Sequence, residues 1–270
     1  MVDGHHLLYR AWFGFAAGRI MSRDKTRDLT GVFGFLALAR KAHRLRAPES
    51  EMIVVFDGEN AAAARTDSDP TYKANRAAAD HTPIKSLAAV KQALDAIGVR
   101  WVELGDHEGD DVIATAANVA SGAGRPTVCF TGDRDMYQLL GPTTTILTPV
   151  RAVVTASDVQ DRYGVTPRQW PDYRALTGDP VDNIPGIRGI GPKTAAALLA
   201  DGWHLDDLAG STRLRNPRCG PVQAQWRQLL GWRDLIRLRR DVPLPEGLIA
   251  NQATPPLPLP AQTLEQINLW

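Results

Sequence analysis

The sequence predicts an α/β fold: a twisted, mostly parallel sheet with helices on both faces, followed by a smaller all-α part. Three observations carry this expectation. The runs "MIVVF" (Met52–Phe56), "VRWVEL" (Val99–Leu104) and "TVCFT" (Thr127–Thr131) have the length and apolar character of buried strands. Helical patterns separate them, and strand alternating with helix favours a parallel sheet covered on both faces. From Thr166 onward the pattern is helical and punctuated by glycine, without good strands.

Taken in order, "TGVFGFLALARKAHRL" reads as a helix before the first long strand. "IKSLAAVKQALDAIG" lies between the first two strands, and "DDVIATAANVA" follows the second. "TTTILTPVRAVVTASDV" reads as two short strands around a turn, then a helix start at Ser157. A boundary near Thr166 divides a core of residues 1–165 from a helical subdomain of residues 166–240. The remaining residues 241–270 contain "PLPEGLIANQATPPLPLPAQ", a proline-rich tail expected to be extended.

The 270 residues are 44% hydrophobic and 23% charged, ordinary for a globular chain with a sizeable core. Two cysteines, Cys129 and Cys219, make no disulfide framework. No run approaches the ~20 apolar residues of a membrane span, and no basic leader with an apolar h-region opens the chain. These features lead to the expectation of a reducing, cytoplasmic setting and no membrane partner. The net charge of +1 is unevenly spread: Asn183 to Arg240 carries ten basic residues against four acidic ones. A basic C-terminal part beside an acidic N-terminal part points to a polyanion or, equally, to a solvated arginine-rich helix face.

The acids fall at strand ends. Asp3 follows a very short apolar start, Asp57 follows "MIVVF", and "GDHEGDD" after "VRWVEL" supplies Glu108, Asp110 and Asp111. Asp133 and Asp135 follow "TVCFT" in "TGDRD", and Asp179 and Asp182 sit in "GDPVD". In a parallel sheet the C-terminal strand ends share one edge, where open α/β folds place their sites. An Asp after a strand is also a common turn or cap residue, so only the joint placement argues for function. Carboxylates crowded into one crevice stay partly protonated or are neutralised by cations. Oxygen donors without paired His or Cys suit a hard ion, Mg²⁺ or Mn²⁺. Two such ions about 3.5–4 Å apart activate water and steady a leaving phosphodiester oxygen.

"GIRGIGPKTAAALL" places Gly186, Gly189 and Gly191 before Pro192, which is favoured at the first position of a helix. Its free N–H groups and Lys193 suit one backbone phosphate, and Gly191 lets the phosphate approach the main chain. The stretch is not a P-loop, because Pro192 separates the last glycine from the lysine and no strand leads into it.

"VDGHHLLYRA", "VVFDG", "YKANR", "EGDDVIAT", "TGDRDMYQLL" and "GDPVDNIPGIRGIGPKTA" occur in that order. Through them, from Val2 to about Arg240, the chain resembles the 5′→3′ exonucleases of the flap endonuclease superfamily. It is similar to the N-terminal nuclease domain of bacterial DNA polymerase I, in a stand-alone form. The resemblance implies a PIN-like core and a helix–three-turn–helix element. It implies a first metal cluster at Asp3, Asp57, Glu108, Asp110, Asp111 and Asp133, and a second at Asp135, Asp179 and Asp182. Lys73 and Arg76 match the family's basic pair near the scissile phosphate, in a helical arch spanning roughly residues 69–87. Their spacing puts them on one side of a helix turn, and Tyr72 is placed to stack on a base. Gly189, Gly191, Lys193 and Thr194 match the duplex-holding element, where family members often bind K⁺. His5 and His6 are read as packing or phosphate neighbours, and Trp203, Trp226 and Trp232 as helix-packing residues.

The implied activity is a divalent-metal-dependent 5′→3′ exonuclease or 5′-flap endonuclease. It would use metal-activated water on DNA in replication or repair, as a monomer. Implied partners are 5′-flap, nicked or gapped duplex, with RNA–DNA hybrid as a further candidate. A PIN-type ribonuclease is one alternative; a catalytically weak structure-specific DNA-binding protein is another. Relatives carry a longer apolar stretch before the first "VDG". Either the assigned start lies downstream of the true one, or the first strand frays and amides at Val2 to Gly4 exchange rapidly. Gly109 stands where relatives often have alanine, at some cost in helix propensity. The "ENAAAARTDSDPT" segment leaves the length and order of the arch open.

Overall fold

The computed structural model describes residues 1–15, 17–150, 152–250 and 252–270. The N-terminal part alternates strand and helix. It runs β1 (Val2–Asp3), α1 (Gly4–Gly14), α2 (Thr30–Arg46), β2 (Ile53–Asp57), α3 (Ala63–Ser68), α4 (Leu87–Ala96), β3 (Arg100–Leu104), α5 (Gly109–Gly122) and β4 (Thr127–Phe130). Then come β5 (Thr144–Leu147), β6 (Val153–Val154) and α6 (Ala156–Tyr163). One six-stranded sheet results, in the order β3-β2-β1-β4-β5-β6, parallel except for the antiparallel β6. The strand order reverses beside β1, so the crevice at the carboxyl ends of β1 and β4 is the switch point where such sheets bind ligands.

Alternate side chains of the strands feed two cores, as expected for strands covered on both faces. Val2, Val54 and Phe56 pack under α1, α2 and α4 with Leu8, Phe35 and Leu94. Ile53, Val55 and Val102 pack on the other face with Ile113 and Met136 of the 3₁₀ turn Asp135–Leu139.

The pairing of the first strand weighs against the fraying alternative. β1 is short but central, paired through Val2 with both Val54 and Phe130. The Met1 amino group donates to the Val128 carbonyl at 2.7 Å, and the Phe130 N–H donates to the Met1 carbonyl at 2.8 Å. The hairpin expected after Thr144 is present, and Arg151 in its turn lies outside the described residues.

The remaining helices are α7 (Trp170–Thr177), α8 (Pro192–Leu198), α9 (Leu205–Leu208), α10 (Gly220–Ala224), α11 (Trp226–Ile236) and α12 (Pro260–Gln266). Trp170, Leu176, Leu198, Leu229 and Trp232 join the same apolar cluster as Val102 and Ile113, so the helical part continues the core on one sheet face.

Two expectations are corrected here. The tail is not simply extended: α12 folds back on α2 and α4, with Leu264 buried and Trp270 stacked on Phe33 at 5.8 Å. Arg40 Nε donates to the Leu257 carbonyl at 2.9 Å, fastening the approach to it; Asn251 lies outside the described residues. An apolar residue every few positions after Pro260 wins over the proline content. The 69–87 segment is not α-helical through Lys73 and Arg76. Lys73 has φ of 55°, the left-handed region, and precedes a 3₁₀ turn, Ala74–Ala78; a second 3₁₀ turn, Thr82–Ser86, leads into α4. Folded this way, the segment lies over the carboxyl edge of the sheet.

Candidate metal-dependent nuclease site

Each acid is held by the element that ends or begins beside it. Asp3 caps α1: its Oδ1 accepts the His6 N–H at 2.9 Å and its Oδ2 accepts the Thr131 hydroxyl at 2.7 Å. That second bond ties the ends of β1 and β4 together. Asp57 Oδ1 accepts the Gly109 N–H at 2.7 Å, and its own N–H donates to His5 Nδ1 at 3.0 Å. A Cβ at Gly109 would lie 3.1 Å from Asp57 Oδ1, so the missing side chain allows this close approach as well as lowering helix propensity. Glu108 occupies the N-cap position of α5, which points Asp110 and Asp111 from its first turn. Asp133 Oδ1 accepts the Asp135 N–H at 2.8 Å, and Asp135 Oδ1 accepts Trp170 Nε1–H at 3.3 Å.

The second pair comes from the turn after α7. Asp179 and Ile184 exchange both backbone hydrogen bonds at 2.7 Å, and the Val181 N–H donates to Asp179 Oδ1 at 2.8 Å. Two glycines make this turn possible. Gly178 and Gly186 have φ of 86° and 69°, and a Cβ on Gly186 would fall 2.4 Å from the Gly178 nitrogen.

Basic side chains reach into the acids. Lys73 Nζ lies 2.5 Å from Glu108 Oε1, and Arg76 Nη2 lies 2.7 Å from Asp182 Oδ1. The two residues meet the acids despite the missing helix turn. Tyr72 is placed differently from the base-stacking expectation. Its ring is buried, with Oη 3.3 Å from Glu108 Oε2 and 3.4 Å from Asp182 Oδ2. Sequence reasoning missed two further cations. Arg65 pairs with Glu108 and, at 2.9 Å, with Asp111; Arg174 pairs with Asp179. Arg174 stands in the last turn of α7 and Asp179 just past its end, five residues on, a separation that no helix face pairs. Arg65 stands in an alanine-rich stretch that carries no signal either. Asp111 therefore faces Arg65 and the Arg239 N–H (2.9 Å), whereas Asp110 faces the other acids.

Burial and mutual repulsion raise Asp3, Asp110, Asp133 and Asp135. Burial pushes Asp3 up to about 7 against the pull of its two hydrogen bonds, with Asp57 and Asp133 adding to the rise. Burial, then Asp133, raises both Asp110 and Asp135 well above the carboxylate range. Asp133 is raised by burial, with Asp182 and Asp179 contributing. Among the described residues, no three donors already close around a single point as a metal cage. The donor set nevertheless fits hard divalent ions. It is all oxygen, and its members are held together at a protonation cost that such ions would remove.

The glycine turn follows the Asp179–Ile184 bridge in the chain. Gly191, Pro192 and Lys193 are exposed, Gly189 is exposed with φ of 88°, and Thr194 is half-buried in the first turn of α8. Ile187 N–H donates to the Leu176 carbonyl at 2.9 Å, fastening the turn to α7 and hence to Asp179.

Comparison with known proteins accords with this geometry. Residues 1–164 match the family model described as 5′-3′ exonuclease, N-terminal resolvase-like domain, and residues 165–257 match 5′-3′ exonuclease, C-terminal SAM fold. The thermostable DNA polymerase I of Thermus filiformis is 37% identical over 246 residues, which is 90% of this chain but 29% of that protein. The chain thus spans under a third of the length of that relative. In fold, it is similar to the T5 5′-exonuclease with bound zinc ions: TM-score 0.66, 19% identity, 99% of this chain and 97% of that one. It is also similar to a bacteriophage T5 flap endonuclease variant in a pseudo-enzyme–product complex with DNA and metal ions: TM-score 0.66, 18% identity, 99% and 91% covered. With both of its parts matched in order, the chain belongs to the 5′–3′ exonuclease family.

Proposed function

We propose that this chain is a divalent-metal-dependent nuclease that hydrolyses DNA phosphodiesters from a 5′ end or at a 5′ flap. One observation carries the reading. Acids from the ends of β1, β2 and β4, the start of α5 and the turn after α7 share one edge with Lys73 and Arg76. In this reading Asp3, Asp57, Glu108, Asp110 and Asp133 would form one group of ligands to Mg²⁺ or Mn²⁺, with Asp111 behind them. Asp135, Asp179 and Asp182 would form the other. A divalent ion bound there would supply positive charge and a water of lowered pKa.

The chain's own groups do the rest. Lys73 Nζ and the Arg76 guanidinium, now on carboxylates, exchange them for the scissile phosphate and stabilise charge growing on its oxygens. The exposed turn Gly189–Thr194 grips a duplex phosphate through backbone N–H groups and Lys193, with K⁺ at its carbonyls as a further element of the reading. Residues 1–165, 166–240 and 241–270 act as core, duplex-holding part and fastening tail. The protein works as a cytoplasmic monomer on flap, nicked or gapped DNA and on RNA–DNA hybrid, in replication or repair. The seat of Asp3 at the centre of the sheet, bonded to Thr131, favours an active nuclease over a decayed one.

The test is cleavage of a labelled 5′-flap duplex in Mg²⁺, in Mn²⁺ and in EDTA. The parent protein cuts near the flap junction only with a divalent ion. Lys73→Ala loses roughly 100-fold or more in rate, and Asp133→Asn binds without cutting. Preferential cutting of single-stranded RNA would favour a ribonuclease instead, and parent binding without cutting would remove the catalytic reading.

A further inference from the structure

The half-buried guanidinium of Arg65 reaches three separate parts of the molecule. It pairs with Glu108 at the N-cap of α5, with Asp111 one turn on, and with the main-chain carbonyl of Arg237 at 3.3 Å, just past α11. Its side chain is 13% exposed. Asp111 Oδ1, which accepts from Arg65, also accepts the Arg239 N–H at 2.9 Å.

These bonds open a longer seam. Thr115 Oγ1 donates to the Asp111 carbonyl at 2.9 Å and accepts the Val242 N–H at 3.2 Å. On the opposite flank, Gln138 Nε2 donates to the Ile236 carbonyl at 2.9 Å and Gln138 Oε1 accepts the Leu238 N–H at 3.2 Å. Arg240 Nη2 closes the seam on the Gln138 carbonyl at 2.6 Å. Residues 236–242 are thus laced between α5 and the Asp135–Leu139 turn. Both flanks begin beside site acids: Asp111 next to Asp110, and Gln138 three residues after Asp135.

We propose that Arg65 is a positioning residue that locks the exit of α11, and with it the duplex-holding helices, in register with the carboxylate edge of the sheet. It rests on the nuclease reading for its consequence: the register decides which phosphate meets the acids. Only an arginine suits the position, because its planar fork serves Glu108, Asp111 and the Arg237 carbonyl at once. A lysine keeps the charge but offers one compact donor group, so it can hold a carboxylate and still release the seam. Glu108 is also held from the other side by Lys73, so losing Arg65 frees residues 237–242 more than it frees Glu108.

The test uses the full chain with Arg65→Lys, and with Arg65→Met if that variant folds. Hydrogen exchange in EDTA reads the seam without substrate. In Arg65→Lys the Arg239 and Val242 amides exchange about tenfold faster or more, while Val54 and Val55 in β2 keep their protection. On the 5′-flap duplex, binding in Ca²⁺ stays within about threefold of the parent. Turnover falls about tenfold, and products spread over neighbouring positions. Parent-like exchange at Arg239 and Val242, or released amides with a single parent-like cut site, overturns the proposal. If the parent itself cuts no flap, the nuclease reading falls, and the exchange result alone decides whether Arg65 holds the seam.

Discussion

At the scale of single residues, Asp3 makes the electrostatic cost of the site measurable. Its folded value of about 7 lies far above the 3.8 of an ordinary Asp. Between those values the folded chain holds a proton that the unfolded chain has released. The stability linked to Asp3 is therefore fully present below about pH 4 and lost as pH rises through 7, at no more than about 1.4 kcal/mol per pH unit for one proton. Urea midpoints of the metal-free protein should fall from pH 5 to pH 8. In Asp3→Asn, whose side chain cannot titrate, the fall should be clearly shallower, and an identical slope would refute the assignment. Seven of the nine acids were legible because each follows a strand or starts a helical turn, and Asp179 and Asp182 because they stand three apart beside the glycine turn. What they touch was not. Arg65 and Arg174 are recognisable only once α3 and α7 are folded against the edge, and Tyr72, read as a base stacker, is buried beside Glu108 and Asp182.

At the scale of elements, the sequence reading was secure where one period ran long and weak where elements were short. Strands β2, β3 and β4 and helices α2, α4 and α5 each carry enough apolar repeats to be seen. β1 has two residues and draws its order from neighbours on both sides, which composition alone does not reveal. The 3₁₀ turns around Lys73 and the helix α12 were missed for the same reason: tertiary packing, not local propensity, decides them. That makes α12 a sharp test. Leu264 is fully buried between α2 and α4. Truncating such a side chain costs about 2–5 kcal/mol. Leu264→Ala should lower the urea midpoint accordingly while leaving metal-dependent cleavage per folded molecule unchanged; a loss under about 0.5 kcal/mol would show the tail to be only loosely seated.

At the scale of the whole molecule, charge and topology divide the labour. The sheet order brings acids distant in sequence to one edge, and no sequence pattern announces that β1 sits at the centre. The basic excess from Asn183 to Arg240 was legible, but its sum overstates what faces outward. Arg233 is taken up by Asp206 and Asp234. Arg213 is taken up by Asp201, by the carbonyls of Leu198 and Ala200, and by the face of Trp203 at 4.0 Å. Among the described residues, Arg188, Lys193, Arg215, Arg218 and Arg227 are exposed and form no ion pair, so they remain available to phosphate. Each phosphate contact made by such a residue releases counterions, and log Kd shifts with log salt by about 0.9 per contact. Measured on duplex DNA in Ca²⁺ across a salt series, Lys193→Ala and Arg188→Ala should each weaken binding and reduce the slope by about 1. Arg213→Ala, which removes a charge already spent inside the protein, should leave the slope at the parent value. If Arg213→Ala lowers the slope as much as Lys193→Ala does, the basic face is read by its total charge, and the glycine turn holds no phosphate of its own.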